Sequence, residues 1–408
     1  MRLITKPDSW SNWSGRQSAS PRLVGQPEHE ADFSTLVTAA REQGLTVRAV
    51  GASHSHSRVA APDGALAVTD GWQGLIDVDT DHQQATFRSG TRIFQTGPLL
   101  HPHGLALRNQ GDIDKQSLAG ATATGTHGTG PALQNLSASI RRLRIVLASG
   151  EIVECSHDDN PEVFEVARLS LGGVGLVTGL TLDLRACYRL HERVWLEHPD
   201  TVMPRIDELV AATRHFEFFW MPERDRCAVK TLTETDAVAL PASADPRRER
   251  LGWSHEIISS IRDERHTEME YAVPAERGPA CFVELRAMIQ QHFPELTWPL
   301  EYRTLAADDL WLSPASHRPT VTISAHQDIT LDDRPLFEAC EEIFRRHDGR
   351  PHWGKVHSCT GDELAQMYPQ YRAWWAVRDR LDPDGVFVTA DLSAVRPTTQ
   401  PDRSDAHV

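Results

Sequence analysis

Over the first 185 residues the apolar positions come in short bursts broken by glycine loops, a pattern that predicts brief strands with a few helices between them. Leu45–Val50 (LTVRAV) alternates apolar and polar residues and runs into a Gly/Ser/His loop, and Ala65–Thr69 and Ala85–Ser89 read as further strands. Arg142–Leu147 and Glu151–Cys155 flank Ser149-Gly150 and predict a hairpin, with Gly supplying the turn. Asn160-Pro161-Glu162 predicts a helix start, with Asn as cap, Pro in the first turn and Glu at the positive end of the dipole. Gly172–Gly175 then breaks the pattern, and Val174–Leu184 returns as a strand.

From about residue 186 the texture changes. A helix over roughly 204–213 leads into an aromatic strand, Phe216–Met221, and another at Ala228–Leu232. Residues 236–250 (DAVALPASADPRRER) read as a solvated connection. Two helices follow, then strands around Glu301 and over 319–326, then a helix over 334–347. The tail from Pro397 is polar and reads as loose. Helices interleaved with antiparallel strands in both halves predict an α+β protein of two domains.

Composition narrows the partners. The 408 residues carry a net charge of −15, which argues against nucleic-acid or anionic-membrane binding, since both need a basic field. No run approaches the ~20 apolar residues of a membrane span, and MRLITKPDSWSNWSG shows no apolar core of a secretory signal. Six cysteines without a Cys-x-x-Cys pair fit reduced thiols in a cytoplasmic protein.

The chemistry concentrates in three glycine-rich stretches: Gly51-Ala52-Ser53-His54-Ser55-His56-Ser57, Gly120–Gly130 (GATATGTHGTG) and Leu171–Thr178 (LGGVGLVT). Each one alone is consistent with a tight turn. Three together, two of them with His between small hydroxyl residues, point to an extended cradle for a phosphate-bearing cofactor. None matches the Rossmann or Walker fingerprints. Glu301 and Arg303, two apart on a strand, share a face; with Lys355 they read, taken alone, as solvated surface charges. His54 and His56 lie on one face of a strand-like segment, but no third ligand and no HExxH pattern accompany them, so no metal is predicted. Trp220, Trp353, Trp374 and Trp375 read as core.

In order and spacing, the sequence resembles the aldonolactone oxidase and alditol oxidase branch of the vanillyl-alcohol-oxidase-type flavoproteins. The residues that carry the likeness are Gly51–Ser57, Gly125-Thr126-His127-Gly128-Thr129-Gly130, Glu301-Tyr302-Arg303, Asp308-Asp309-Leu310, Leu312-Ser313-Pro314, His352-Trp353-Gly354-Lys355 and Leu381-Asp382-Pro383. The resemblance spans roughly residues 15–393. It implies a PCMH-type FAD domain over 10–185, an α+β substrate (cap) domain over 186–349, and a return to the FAD domain over 350–395.

The resemblance also implies roles. His54 would bond covalently to the flavin 8α carbon; Gly51, Ala52 and His56 complete its loop, with Ser53, Ser55 and Ser57 flanking the pyrophosphate. Ser117, Gly120, Thr122, Gly125, Thr126 and His127 form a second cofactor segment, and Gly173, Gly175 and Val177 a third. Glu301, Arg303 and Lys355 match the charged group over the flavin. Ser324 and His326 stand where alditol oxidases carry a His-x-Thr pair, and Asp112 replaces a small hydroxyl residue, which moves the expected substrate from an acyclic polyol towards a sugar-1,4-lactone. Gly111 matches a small residue that leaves O₂ a path to the flavin, so H₂O₂ is the expected second product. Rival readings are a dehydrogenase with a quinone or cytochrome acceptor, a non-enzymatic metabolite binder, and a zinc hydrolase.

Overall fold

A computed structural model describes residues 2–4, 9–260 and 263–398; most of the polar tail lies outside them. The fold is α+β, built on three main sheets in chain order. In the first, Leu23–Gln26, Ala65–Val68 and Val47–Val50 pair in parallel, and Arg2–Ile4 adds an antiparallel edge. The helix Glu30–Glu42 covers it with Phe33, Leu36, Val37 and Ala40, the spacing of a single helical face. Asp32 in its first turn accepts from the backbone N–H groups of Glu28 and His29 at 3.0 and 2.9 Å, relieving the orphaned donors of the helix start.

The second sheet is antiparallel around the long strand Leu176–Ala186, which lies between Ile140–Val146 and Gln84–Arg88. The expected hairpin joins Ile140–Val146 to Ile152–Ser156, and Gly150 takes the left-handed φ of +86° that its turn needs. The helix Pro161–Ala167 starts where expected, but Asn160 does not cap it. That residue adopts φ +48°, and its amide donates to the Glu154 carbonyl instead.

Everything from Arg189 to Pro351 feeds one eight-stranded antiparallel sheet. Its order is Glu249–Trp253, Arg189–Glu197, Arg226–Thr235, His215–Met221, Leu300–Leu305, Thr320–Asp328, His266–Pro274, Arg350–Pro351. Two strands depart from expectation. Glu249–Trp253 begins inside the segment read as a solvated connection. Of the two helices expected after it, the first is a four-residue turn, Ser254–Ile257, and the second, Gly278–His292, comes only after the strand His266–Pro274, which was not anticipated. The helix expected over 204–213 is a series of short turns ending at Ile206–Ala211.

One face of this sheet is apolar. Phe218 stacks on Tyr302 and Tyr271 on Phe344, with ring centroids 4.8 and 4.9 Å apart, beneath the helices Gly278–His292 and Arg334–Arg346. The last helices cross back to the first half. Trp374, fully buried on Tyr371–Leu381, donates to the Val166 carbonyl at 3.1 Å, and Arg378 donates to the Gly173 carbonyl at 3.0 Å. Asp382 pairs with Arg378 and accepts from the Val386 and Phe387 N–H groups, so the Leu381-Asp382-Pro383 phrase anchors a turn. All four singled-out tryptophans are buried, and all six cysteines are free thiols.

Candidate active site

The loop after Val47–Val50 is tied down at both ends. Trp10 donates to the Ser53 hydroxyl at 3.0 Å, and the His56 N–H donates to the Gly354 carbonyl at 2.7 Å. Ser53 has φ +55°, which turns the chain so that His54 stacks on Trp13, ring centroids 5.2 Å apart. Beside the loop runs a cleft whose walls include Gly51, Ala52, Ser53, Ser117, Gly120 and Gly172. Nothing larger than Ser stands along these positions, so backbone can approach a ligand closely. At Gly51 the approach is already complete within the protein: a Cβ there would lie 2.1 Å from the Ser117 hydroxyl. Such a narrow, small-walled, hydroxyl-rich slot fits a dinucleotide pyrophosphate.

A second cavity begins where the first ends, and His54 and Gln116 line both. Its floor is the polar face of the eight-stranded sheet, where charged residues meet in register across the strands. Arg250 lies opposite Glu192, Lys230 opposite Glu217, Glu217 opposite Arg303, Glu301 opposite Ser324, Ser324 opposite Glu270, and His326 opposite Glu268. The contacts follow the register. Lys230 lies 2.8 Å from Glu217 and 3.3 Å from Asp112. Arg303 pairs with Glu301 and lies 3.7 Å from Glu270. His127 reaches Glu270 at 2.7 Å through Nε2 and the Gly128 carbonyl at 2.8 Å through Nδ1. Lys355 pairs with Glu268.

Burial and pairing then set the charge states. Burial alone would raise Glu270, but His127, with Arg303 behind it, reverses this and holds its carboxyl well below the usual range. Glu268 is likewise held well down, by Lys355 and the surrounding imidazoles against burial. Glu217 goes the other way: burial and the neighbouring Asp112 carboxylate push it up to about 7. Burial and the Lys355 ammonium push His54 down to about 4.

Several expected site residues meet here and several do not. Ser53, His54 and Ser55 line the first cavity with Gly51 and Ala52; His56, Gly111, Asp112, Thr126, His127, Glu301, Arg303, His326 and Lys355 line the second. Ser57 turns away and donates to the Trp353 carbonyl at 2.7 Å. Thr122 is buried inside its helix, donating to Leu118, and Gly125 ends that helix against Leu169. In the third segment Leu171 and Gly172 line the cleft. Gly173 packs on Leu392, Gly175 on Ile145 and Val146, and Val177 pairs with Ile145 in the sheet. Ser324 donates its hydroxyl proton to Glu270 at 2.9 Å, and Lys230 lies 3.3 Å from the Asp112 carboxylate, which lines the cavity. At Gly111 a Cβ would lie 3.0 Å from the His127 carbonyl. The absent side chain therefore serves a close backbone approach as well as any opening beside the flavin.

Residues that sequence reasoning passed over are Gln116, Lys230, Glu217 and, above all, Glu268 and Glu270 on the unanticipated strand. A signal for that strand was present: Glu268-Met269-Glu270-Tyr271 alternates polar and apolar residues.

Comparison with known proteins agrees with this geometry. The FAD binding domain family matches residues 21–156, and the D-arabinono-1,4-lactone oxidase family matches residues 180–252 and 242–395. L-gulono-1,4-lactone dehydrogenase of Mycobacterium tuberculosis is 36% identical, covering 93% of this chain and 97% of its own. Alditol oxidase of a Streptomyces species is 28% identical over 94% and 97% of the two chains. Among solved structures, a solvent-stable cholesterol oxidase superposes with a TM-score of 0.84 over 96% of this chain and 98% of its own; at 17% identity it shows the shared fold. The chain thus belongs to the aldonolactone and alditol oxidase branch of the vanillyl-alcohol-oxidase-type flavoproteins, and is an FAD-dependent oxidoreductase.

Proposed function

We propose that the protein oxidises a hydroxyl-bearing carbon of a sugar-1,4-lactone, with FAD attached covalently through His54 and O₂ reduced to H₂O₂. The observation that carries this reading is His54 at the junction of a small-walled cleft and a cavity floored by Arg303, Glu301, Glu270 and His127. FAD, when bound, supplies the two-electron acceptor. Ser53, Ser55, Ser117 and the backbone of Gly51 and Gly120 hold its pyrophosphate, and the neutral His54 keeps the lone pair needed for a bond to carbon.

Within the cavity Glu301 accepts the substrate hydroxyl and takes its proton at a carboxylate oxygen as the carbon-bound hydride departs. Arg303 is held by Glu301 at one guanidinium nitrogen, with Glu270 3.7 Å from the same nitrogen, so its guanidinium needs no rearrangement to face the negative charge that develops. Residues 10–185 and 350–395 form the FAD domain in this reading and 186–349 the substrate domain. Among the described residues no helix is long and apolar enough to cross a membrane. The free thiols of all six cysteines support our assignment to the cytoplasm.

The test is anaerobic bleaching of the bound flavin against a panel of aldonolactones and polyols. Reduction by at least one lactone, faster than by any polyol, is the expected result; no reduction by any member overturns the reading. The name of the Mycobacterium relative favours a second version in which the acceptor is a quinone or cytochrome. Air-oxidation of the reduced enzyme with about one H₂O₂ per turnover selects the oxidase, and reduced flavin that persists in air selects the dehydrogenase.

A further inference from the structure

At the end of the charged sheet face beside Lys355, four side chains of metal-ligand type converge. His266 and Glu268 are two apart on one strand and therefore share its face. His326 stands opposite Glu268 in the neighbouring strand, and His56 comes in from the loop. Each imidazole turns Nε2 to the same carboxylate: His56 at 3.6 Å and His266 at 3.7 Å from one oxygen, His326 at 3.7 Å from the other. All four residues are buried. These separations are too long for hydrogen bonds. They are close to the roughly 3.3–3.6 Å that separates two ligand atoms of a tetrahedral ion with bonds of about 2.0–2.2 Å.

The tautomers sharpen the point. His326 Nδ1 is 2.8 Å from the Pro299 carbonyl and His266 Nδ1 is 3.0 Å from the Glu264 carbonyl. A carbonyl only accepts, so both Nδ1 atoms carry the proton. Nε2 of each ring then faces the Glu268 carboxylate and is the one nitrogen left to bind an ion. Metal-bound histidines are fixed in this way, with the outer nitrogen donating to a carbonyl.

We propose that His56, His266 and Glu268, whose ligand atoms all lie within 4.8 Å of one another, form a binding site for a divalent transition-metal ion of the zinc class, opening onto the substrate cavity, with His326 beside it on the other Glu268 oxygen. Imidazole nitrogens with one carboxylate select this class over the harder Mg²⁺ or Ca²⁺. No metal was expected from the sequence because a third ligand was lacking; the unanticipated strand supplies His266 and Glu268. The Lys355 ammonium, paired with Glu268, holds the place of a counter-charge. Ion and ammonium are therefore alternatives, and removing Lys355 favours the ion.

The experiment is a calorimetric titration of ZnCl₂ into flavin-loaded, chelator-treated and desalted protein near neutral pH. Wild type binds one Zn²⁺ per chain. His56→Ala and His266→Ala each weaken binding by more than the roughly 10–100-fold that loss of an outer partner costs. Lys355→Met tightens it, a direction that damage to the fold cannot produce. His103→Ala, an exposed histidine elsewhere, leaves it unchanged. Should either alanine variant fail to fold, His266→Gln replaces it. Absence of saturable binding by wild type, unweakened binding by both histidine variants, or weaker binding by Lys355→Met overturns the site. None of these outcomes depends on substrate identity or electron acceptor.

Discussion

Burial and the nearby Lys355 hold His54 neutral, so its imidazole is ready to form a covalent bond at physiological pH. Acid-precipitated wild-type protein should therefore give a yellow pellet, and the tryptic peptide containing His54 should carry the flavin mass. In His54→Ala the flavin should wash out or bind reversibly. A colourless wild-type pellet with all the flavin in the supernatant would sink the covalent bond and leave FAD binding intact. Arg303 supports a second expectation. Its guanidinium is buried and held at one nitrogen by Glu301 with Glu270 nearby, where water screens little, and removing one such fixed donor slows a reaction by roughly 10²–10³-fold. Anaerobic flavin reduction in Arg303→Ala should fall by that order while FAD content stays the same; a wild-type rate would mean that the reacting carbon binds elsewhere. That Glu301 and Arg303 share a strand face was legible from their spacing, although taken alone they read as surface charges. The partners that hold the pair were not legible, because Glu270 and Glu217 come from other strands.

At the scale of elements the strand His266–Pro274 matters most. All nine of its residues are buried, yet its two faces lie in opposite environments. Met269, Tyr271 and Val273 enter the apolar core, while His266, Glu268 and Glu270 face the cavity. The charged run Asp-Glu-Arg-His-Thr-Glu-Met-Glu falls where helices were expected, and the alternation within it identifies a strand only if the polar face is allowed to be interior. Glu270 on it is bonded to His127 and Ser324 and close to Arg303. Glu270→Gln removes the negative charge from buried partners and should cost about 1–3 kcal/mol, the range for leaving a buried polar group poorly satisfied. Denaturant unfolding of the flavin-loaded variant beside Glu342→Gln, an exposed control, checks this; equal midpoints would show that Glu270 does not hold the cluster together. The glycine loops show the converse. Their positions were legible, but the work is divided between lining and packing: Leu171 and Gly172 face the cleft, whereas Gly173 and Gly175 let the chain pass close to Leu392 and Val146.

Across the whole molecule, burial of neutral histidines couples stability to pH. His215, His326, His352 and His357 are each pushed down to about 4, chiefly by burial. Their folded values lie below the unfolded value of about 6.5, so between these limits the unfolded chain binds more protons. Stability then rises with pH, and it is lost as pH falls from about 6.5 towards 4, by up to about 1.4 kcal/mol per group per pH unit. Glu268 and Glu270, held low, extend the loss further into acid. The melting temperature of the flavin-loaded protein should fall steadily from pH 7 to pH 5, and a flat profile over that range would refute the coupling. The sequence by itself determined the α+β class, most strands and the positions of the glycine loops, because periodicity and turn residues act over a few residues; roles for Glu301, Arg303 and His54 came only with the family resemblance. Tertiary structure decided which charges are neutralised and which remain to act. Glu268 meets Lys355 and Glu270 meets His127 across long stretches of chain. The strength of such a pair depends on distance and on exclusion of water, two quantities that exist only once the strands have found their register.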